Sequence, residues 1–206
     1  MTPELPDRPL EVGLMGGTFD PVHVGHLGAA RVALRCARLD VVLLIPAGSP
    51  PHKEGARAGA EDRLRMCQLA VDGEPGMGLW DVEVRRGGRS YTVETLREFR
   101  RLRPRDHPHL VLGWDAAREI GSWKEPEAVL DLAPPVIVAR PGVGAPLEAD
   151  LRAAGIDPAR ARVCLEPTPA VNATRIRSRA AAGLGLEDMV VPAVAAHIAA
   201  RRLYSA

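Results

Sequence analysis

The run Val41-Val42-Leu43-Leu44-Ile45 contains no polar residue. A strand with one face in water alternates apolar and polar side chains. This one has to be covered on both faces, which is the situation of an inner strand in a parallel sheet. Parallel neighbours cannot be joined by a tight hairpin and need a crossover, usually a helix. The chain supplies that alternation: apolar runs at 10–15, 41–45, 78–84, 109–112, 135–139 and 162–165 are interleaved with helical patterns at 26–38, 62–71, 92–102, 115–120, 125–132, 146–154, 174–182 and 192–202. Thr92 is the expected cap of the 92–102 helix, with Glu94 in its first turn, and Gly121 and Pro134 are the expected stops of the two short helices before them. The expected class is α/β, a doubly wound, mostly parallel sheet with helices on both faces. No repeat, low-complexity stretch or linker-like change of composition interrupts the 206 residues. They are therefore expected to form one domain, 1–206, with the helices of 174–206 packed on it.

Composition narrows the partners. With a net charge of +1, no bulk positive field favours nucleic acid or an anionic membrane, so any anion site has to be local. No apolar run approaches the roughly 20 residues of a membrane helix, and 1–9 has no apolar core of a signal peptide. A cytoplasmic location is expected. Cys36, Cys67 and Cys164 are odd in number, far apart and without a C-x-x-C pair, which reads as three buried free thiols. Nearly all basic residues are arginine. Lys53 and Lys124 are the two lysines, and a compact point charge is the property an arginine would not reproduce.

Five segments carry chemistry, each just after an expected strand, where an open α/β sheet binds its ligands. Gly16-Gly17-Thr18-Phe19-Asp20-Pro21-Val22-His23-Val24-Gly25-His26 leaves the first strand and opens the first helix. Its glycines let the backbone approach a phosphate, the helix terminus offers N–H groups and a favourable dipole, and the two histidines add donors. It is neither G-x-G-x-x-G nor G-x-x-x-x-G-K-[ST], and a His23/His26 metal pair lacks a third ligand in sequence. The segment 46–53 ends in His52-Lys53 on a proline-stiffened loop, whose plain alternative is a surface loop. Ser90-Tyr91-Thr92-Val93-Glu94-Thr95-Leu96 is at the least a helix start. Gly113-Trp114-Asp115, with Trp123 soon after, puts a carboxylate at a strand end; a core position is the plain alternative for Trp123. Val171-Asn172-Ala173-Thr174-Arg175-Ile176-Arg177 opens a late arginine-rich helix, with Asn172 a good cap.

In these segments the chain resembles the nucleotidyltransferase superfamily, and most closely the bacterial nicotinate-nucleotide adenylyltransferases, whose G-G-T-F-D-P-V-H-x-G-H, P-P-H-K, S-Y-T-x-x-T-L, G-x-D…W and S-S-T-x-I-R motifs recur in the same order from Leu10 to Tyr204. Asn172 stands where that family usually has Ser, and Trp114 where a small or polar residue is usual. The resemblance implies a Rossmann-like nucleotidyltransferase fold and transfer of the adenylyl group of ATP to nicotinate mononucleotide, giving deamido-NAD and pyrophosphate. It implies that His23, His26, Lys53 and Arg177 are catalytic. It implies that ATP meets Gly16, Gly17, Thr18, Phe19, His23, His26, Gly113, Asp115, Thr174 and Arg177. Lys53, Tyr91, Thr92, Asp115 and Trp123 would hold the mononucleotide, with Trp123 stacked on the pyridine ring. Mg²⁺ would accompany ATP without a protein cage of its own. The partners are then small molecules, with neither nucleic acid nor membrane among them. The rival acceptors are nicotinamide mononucleotide or another phosphate, and the rival class is a nucleotide sensor without catalysis; the oligomeric state stays open.

Overall fold

Six strands form one sheet in the order β3-β2-β1-β4-β5-β6, and every neighbouring pair is parallel. The computed structural model describes residues 6–49, 56–139, 142 and 144–205. In chain order the elements are β1 (Glu11–Gly17), α1 (Val24–Cys36), β2 (Val41–Pro46), α2 (Ala60–Val71), β3 (Met77–Leu79), α3 (Val82–Arg86), α4 (Thr92–Leu102), β4 (His107–Gly113), α5 (Trp114–Ala117), α6 (Pro126–Leu132), β5 (Pro135–Val138), α7 (Glu148–Ala153), β6 (Arg162–Cys164), α8 (Ala173–Ala181) and α9 (Pro192–Ala200). The order reverses between β1 and β4, which makes the carboxyl ends of those two strands the switch point of the sheet.

The apolar run of β2 is buried at every position, and its side chains divide between two cores as the two-residue period of a strand requires. Val42 and Leu44 join Met15, Val111, Val136 and Val138 under α1, α2, α8 and α9. Val41, Leu43 and Ile45 join Val12, Leu14, Leu110, Leu112 and Ile137 under α4, α6 and α7. Gly13 lies at the centre of the sheet because a Cβ there would stand 2.8 Å from both Leu39 and Val42. Among the described residues no helix is long and apolar enough to cross a membrane.

Several elements depart from expectation. The strand expected over 78–84 is only Met77–Leu79, and Val82–Arg86 is a helix. At this sheet edge the ladder ends with the Trp80 N–H on the Leu44 carbonyl, 2.9 Å. Asp81 then begins a helical turn, closed by the Arg85 Nε bond to its carboxylate one turn on. Thr92 is the first helical residue of α4 and Tyr91 is the flanking one, so Thr92 does not cap it. The helix expected at 115–120 is split into α5 and a 3₁₀ turn at Ile120–Ser122, so Gly121 lies inside that turn and does not terminate the helix. Asn172 does cap α8, accepting the Arg175 N–H at 2.9 Å. The cysteines are not three free thiols: Cys36, at the end of α1, is bonded to Cys164, at the end of β6, and only Cys67 is free and buried. A sequence separation of 128 hid a proximity that the packing of α1 beside β6 creates.

Candidate active site

The switch point opens into two cavities with a common wall. The larger, of about 820 Å³, is lined by Gly16, Gly17, Thr18, Phe19, His23 and His26 from β1 and the start of α1, by Gly113 and Asp115 from the end of β4, and by Thr174 and Arg177 from α8. The smaller, of about 240 Å³, is lined by Tyr91, Thr92 and Trp123, together with Glu83, Ser90, Thr95 and Lys124. Gly16, Gly17, Thr18 and Leu112 line both. Every residue expected to meet ATP therefore faces one space. Those expected to meet the mononucleotide divide: Tyr91, Thr92 and Trp123 face the smaller cavity and Asp115 the larger. Lys53 and the rest of 50–55 lie outside the described residues. Trp114 packs at the edge of the α4-side core.

His23 and His26 are arranged against each other. His23 is the flanking residue of α1, with extended backbone, and it is buried. Its ring stacks on that of His26 with centroids 3.7 Å apart and planes 27° from parallel. Phe19 meets His26 edge-on at 5.0 Å. The His23 backbone N–H donates to Nδ1 of His26 at 3.2 Å. A ring nitrogen that accepts carries no proton, so in the neutral ring the proton sits on Nε2 and His26 is a donor at its far nitrogen. The first turn of α1 contains no acidic residue, which leaves the positive end of the helix dipole uncancelled.

Arg177 joins α8 to the β1 loop. Its Nη1 donates to the Asp20 carbonyl at 2.7 Å and its Nη2 to Thr174 Oγ1 at 3.2 Å. The first turn of α8 is also free of acids. Thr174 and Arg177 thus line the larger cavity together with the His23/His26 pair, and this wall is rich in the hydrogen-bond donors that a polyphosphate requires.

Three residues that the sequence reading did not assign hold this arrangement together. Asp20 is buried; its carboxylate accepts the Arg57 N–H at 2.7 Å, the Ala58 N–H at 3.1 Å and the Tyr204 hydroxyl at 2.8 Å. Arg63 is only 1% exposed, and it donates to the carbonyls of Ala58 (3.2 Å), Thr18 (2.8 Å) and Gly48 (3.0 Å). One guanidinium thus ties the β1 loop to the segments after β2 and before α2. Burial holds its pKa below the usual arginine value, opposed by the nearby Asp20 charge. Asp20 stood within the first motif, but nothing in the sequence around Arg63 or Tyr204 marks either as part of a site.

The smaller cavity has an apolar body and a polar rim. Glu83 is buried in its wall; Thr95 Oγ1 donates to it at 2.6 Å, and Arg86 Nη2 donates to Thr95 Oγ1 at 3.2 Å. Burial pushes the Glu83 carboxyl above the ordinary range, with the Thr95 hydrogen bond acting against that shift. Gly48 approaches this wall so closely that a Cβ on it would lie 2.4 Å from the Glu83 carbonyl oxygen. Its N–H donates to Ser90 Oγ at 3.0 Å, and the Ser90 N–H donates to the Ser49 carbonyl at 3.1 Å. Lys124 bonds Glu94 at 2.7 Å and stands 4.6 Å from the centre of the Tyr91 ring. The cavity carries Tyr91 and Trp123 and is edged with donors, which suits an aromatic heterocycle with a polar substituent.

Comparison with known proteins agrees with this geometry. The cytidylyltransferase-like family model matches residues 14–179. A Synechococcus protein (strain JA-3-3Ab) is 37% identical over 99% of both chains, and a Thermus thermophilus protein is 40% identical over 95% of this chain and 100% of its own. Both are named "probable nicotinate-nucleotide adenylyltransferase". A solved structure of Plasmodium falciparum nicotinic acid mononucleotide adenylyltransferase, described as complexed with NaAD, superposes with a TM-score of 0.76 at 18% identity, covering 94% of this chain and 97% of its own; at that identity the likeness is one of fold. The chain belongs to the cytidylyltransferase-like family, within its group of nicotinate-nucleotide adenylyltransferases.

Proposed function

We propose that this protein joins ATP and nicotinate mononucleotide to give deamido-NAD and pyrophosphate, a step of NAD biosynthesis. The observation that carries the reading is the pair of abutting cavities: one presents His23, His26, Thr174 and Arg177 as donors fit for a triphosphate, the other presents Tyr91 and Trp123, fit for a pyridine ring. Their common wall, Gly16 to Thr18, lies where the reacting phosphates would meet. The names of the full-length relatives supply the acceptor. The whole chain acts as one domain, with 174–206 contributing Thr174 and Arg177.

A phosphate oxygen of the mononucleotide attacks the α-phosphorus of ATP. The new P–O bond forms as the bond to the bridging oxygen of pyrophosphate breaks. The nucleophile is already ionised near pH 7, because the second pKa of a phosphate monoester is ~6, so no general base is needed. What remains is to hold two polyanions in line and to stabilise charge on the leaving group. Nε2–H of His26 and the guanidinium of Arg177 are the donors for the triphosphate, with His23 setting the His26 ring and Lys53 adding a point charge. Asp115 accepts from ribose hydroxyls, and Trp123 and Tyr91 hold the pyridine ring. Among the described residues no three His, Cys, Asp or Glu side chains converge as metal ligands. Mg²⁺ would come as part of the MgATP substrate, neutralising its phosphates.

The test is pyrophosphate release from MgATP with nicotinate mononucleotide or nicotinamide mononucleotide as acceptor. The acid is expected to be preferred by more than about tenfold in kcat/KM, since a site that pairs one polar group rejects the analogue lacking it. Preference for the amide would reassign the acceptor, and no release with either would remove the reading.

A further inference from the structure

The last turn of the described chain reaches Asp20, a residue in the wall of the larger cavity. Beyond α9, Leu203 and Tyr204 pack at the edge of the α1-side core. Tyr204 has φ +68°, a left-handed conformation that a non-glycine residue keeps only where its surroundings hold it. Two features hold it. His197 of α9 and Arg201 just beyond it both bond Asp62 of α2, at 3.0 and 3.1 Å, which fixes the helix. The Tyr204 hydroxyl then donates to Asp20 Oδ1 at 2.8 Å. The same residue, Asp20, accepts Arg177 Nη1 on its main-chain carbonyl at 2.7 Å. The other bond of the Arg177 guanidinium among the described residues, to Thr174, lies within its own helix. Asp20 is thus the fixed point off α8 against which Arg177 is aimed, and Tyr204 is the one side-chain donor that Asp20's carboxylate has among the described residues.

We propose that Tyr204 is a positioning residue for adenylyl transfer, acting through Asp20 to hold Arg177 where the leaving pyrophosphate needs it. The inference rests on the role given to Arg177 above. Tyr204 does not touch substrate. Its work is geometric, and a misplacement of about 1 Å in a charge-stabilising group costs up to about a hundredfold in rate. Burial, and then the bond to Asp20, push the phenol well above its ordinary pKa, so it remains a donor throughout the working pH range.

Steady-state kinetics of Tyr204→Phe, Arg177→Lys and the double variant test this, with Leu203→Ala as a packing control. Tyr204→Phe is expected to lower kcat about fivefold while the KM for ATP stays within about twofold, the size of one lost hydrogen bond. In the Arg177→Lys background the same change is expected to cost less than about twofold, because the group it aims has gone. Leu203→Ala, which keeps the hydroxyl, is expected to lower the melting temperature and leave kcat unchanged. If Tyr204→Phe costs the same factor in both backgrounds, or if Leu203→Ala reproduces the kcat loss, Tyr204 only stabilises the fold and the inference is wrong. If Arg177→Lys alone leaves kcat unchanged, the role of Arg177 falls, and this inference with it.

Discussion

A guanidinium enclosed by three main-chain carbonyls is costly to bury and hard to replace. Arg63 meets the carbonyls of Thr18, Gly48 and Ala58 from three nitrogens of one planar fork, a spread that the single nitrogen of a lysine ammonium does not reproduce. Arg63→Lys is expected to destabilise the protein by about 3 kcal/mol in urea denaturation, since buried carbonyls lose charge-assisted partners; a loss below about 1 kcal/mol would mean that water replaces the fork. Glu83 gives a pH-dependent prediction. Its carboxyl titrates above the ordinary range because it is buried, with the Thr95 and Ser90 hydrogen bonds and the Arg86 charge opposing that shift. A carboxyl with a raised folded pKa binds its proton more readily in the native than in the unfolded state, so its penalty is absent at low pH and grows as pH climbs from the unfolded value of about 4.3 through the folded one. Glu83→Gln keeps an acceptor for Thr95 and removes that penalty. The variant is expected to gain stability over the parent as pH rises through this window, and equal pH profiles would contradict it. Residues of this kind were illegible beforehand. An arginine, a tyrosine and a glutamate on helical or terminal segments look like surface in a one-dimensional reading, and only the packing of distant segments buries them.

The helix starts behave more simply. A cap bonds its own chain three residues on, so Asn172 could be read from the sequence and is found accepting the Arg175 N–H. Asn172→Ala is expected to cost about 1 kcal/mol in thermal or urea unfolding. It should also lower kcat, because Thr174 and Arg177 ride on the first turns of the helix it starts. Asn172→Ser should keep both, and a full loss with serine would show that the amide does more than cap. Thr92 shows the opposite case. The same cap chemistry suggested itself there, but α4 begins one residue earlier than a Thr92 cap would allow, and Thr92 instead lines the smaller cavity. The 78–84 segment failed for a related reason. A short apolar run at a sheet edge carries no periodicity long enough to separate three residues of strand from a following turn of helix. Inner strands, with neighbours on both sides and cores on both faces, left no such ambiguity.

Across the whole molecule, what could be read was whatever repeats at short range: the strand–helix alternation, the two-sided burial of β2 and the glycine-rich turn at the end of β1. Those together imply a doubly wound sheet and its switch point, and so the place where the candidate residues gather. Contacts across long sequence separations were out of reach. The Cys36–Cys164 bond, the Asp20–Tyr204 bond and the fork of Arg63 all join segments whose proximity exists only once the sheet has ordered them. The wall shared by the two cavities has a further consequence for how the enzyme would behave under load. On the proposed reaction, the product is the two substrates' halves tied by a single bond across that wall, so it fills both cavities at once. It gains the advantage of a bivalent ligand, whose second half binds at the high local concentration set by the first. Deamido-NAD would then exclude either substrate, and throughput in the cell would be governed by how quickly a downstream reaction draws it away.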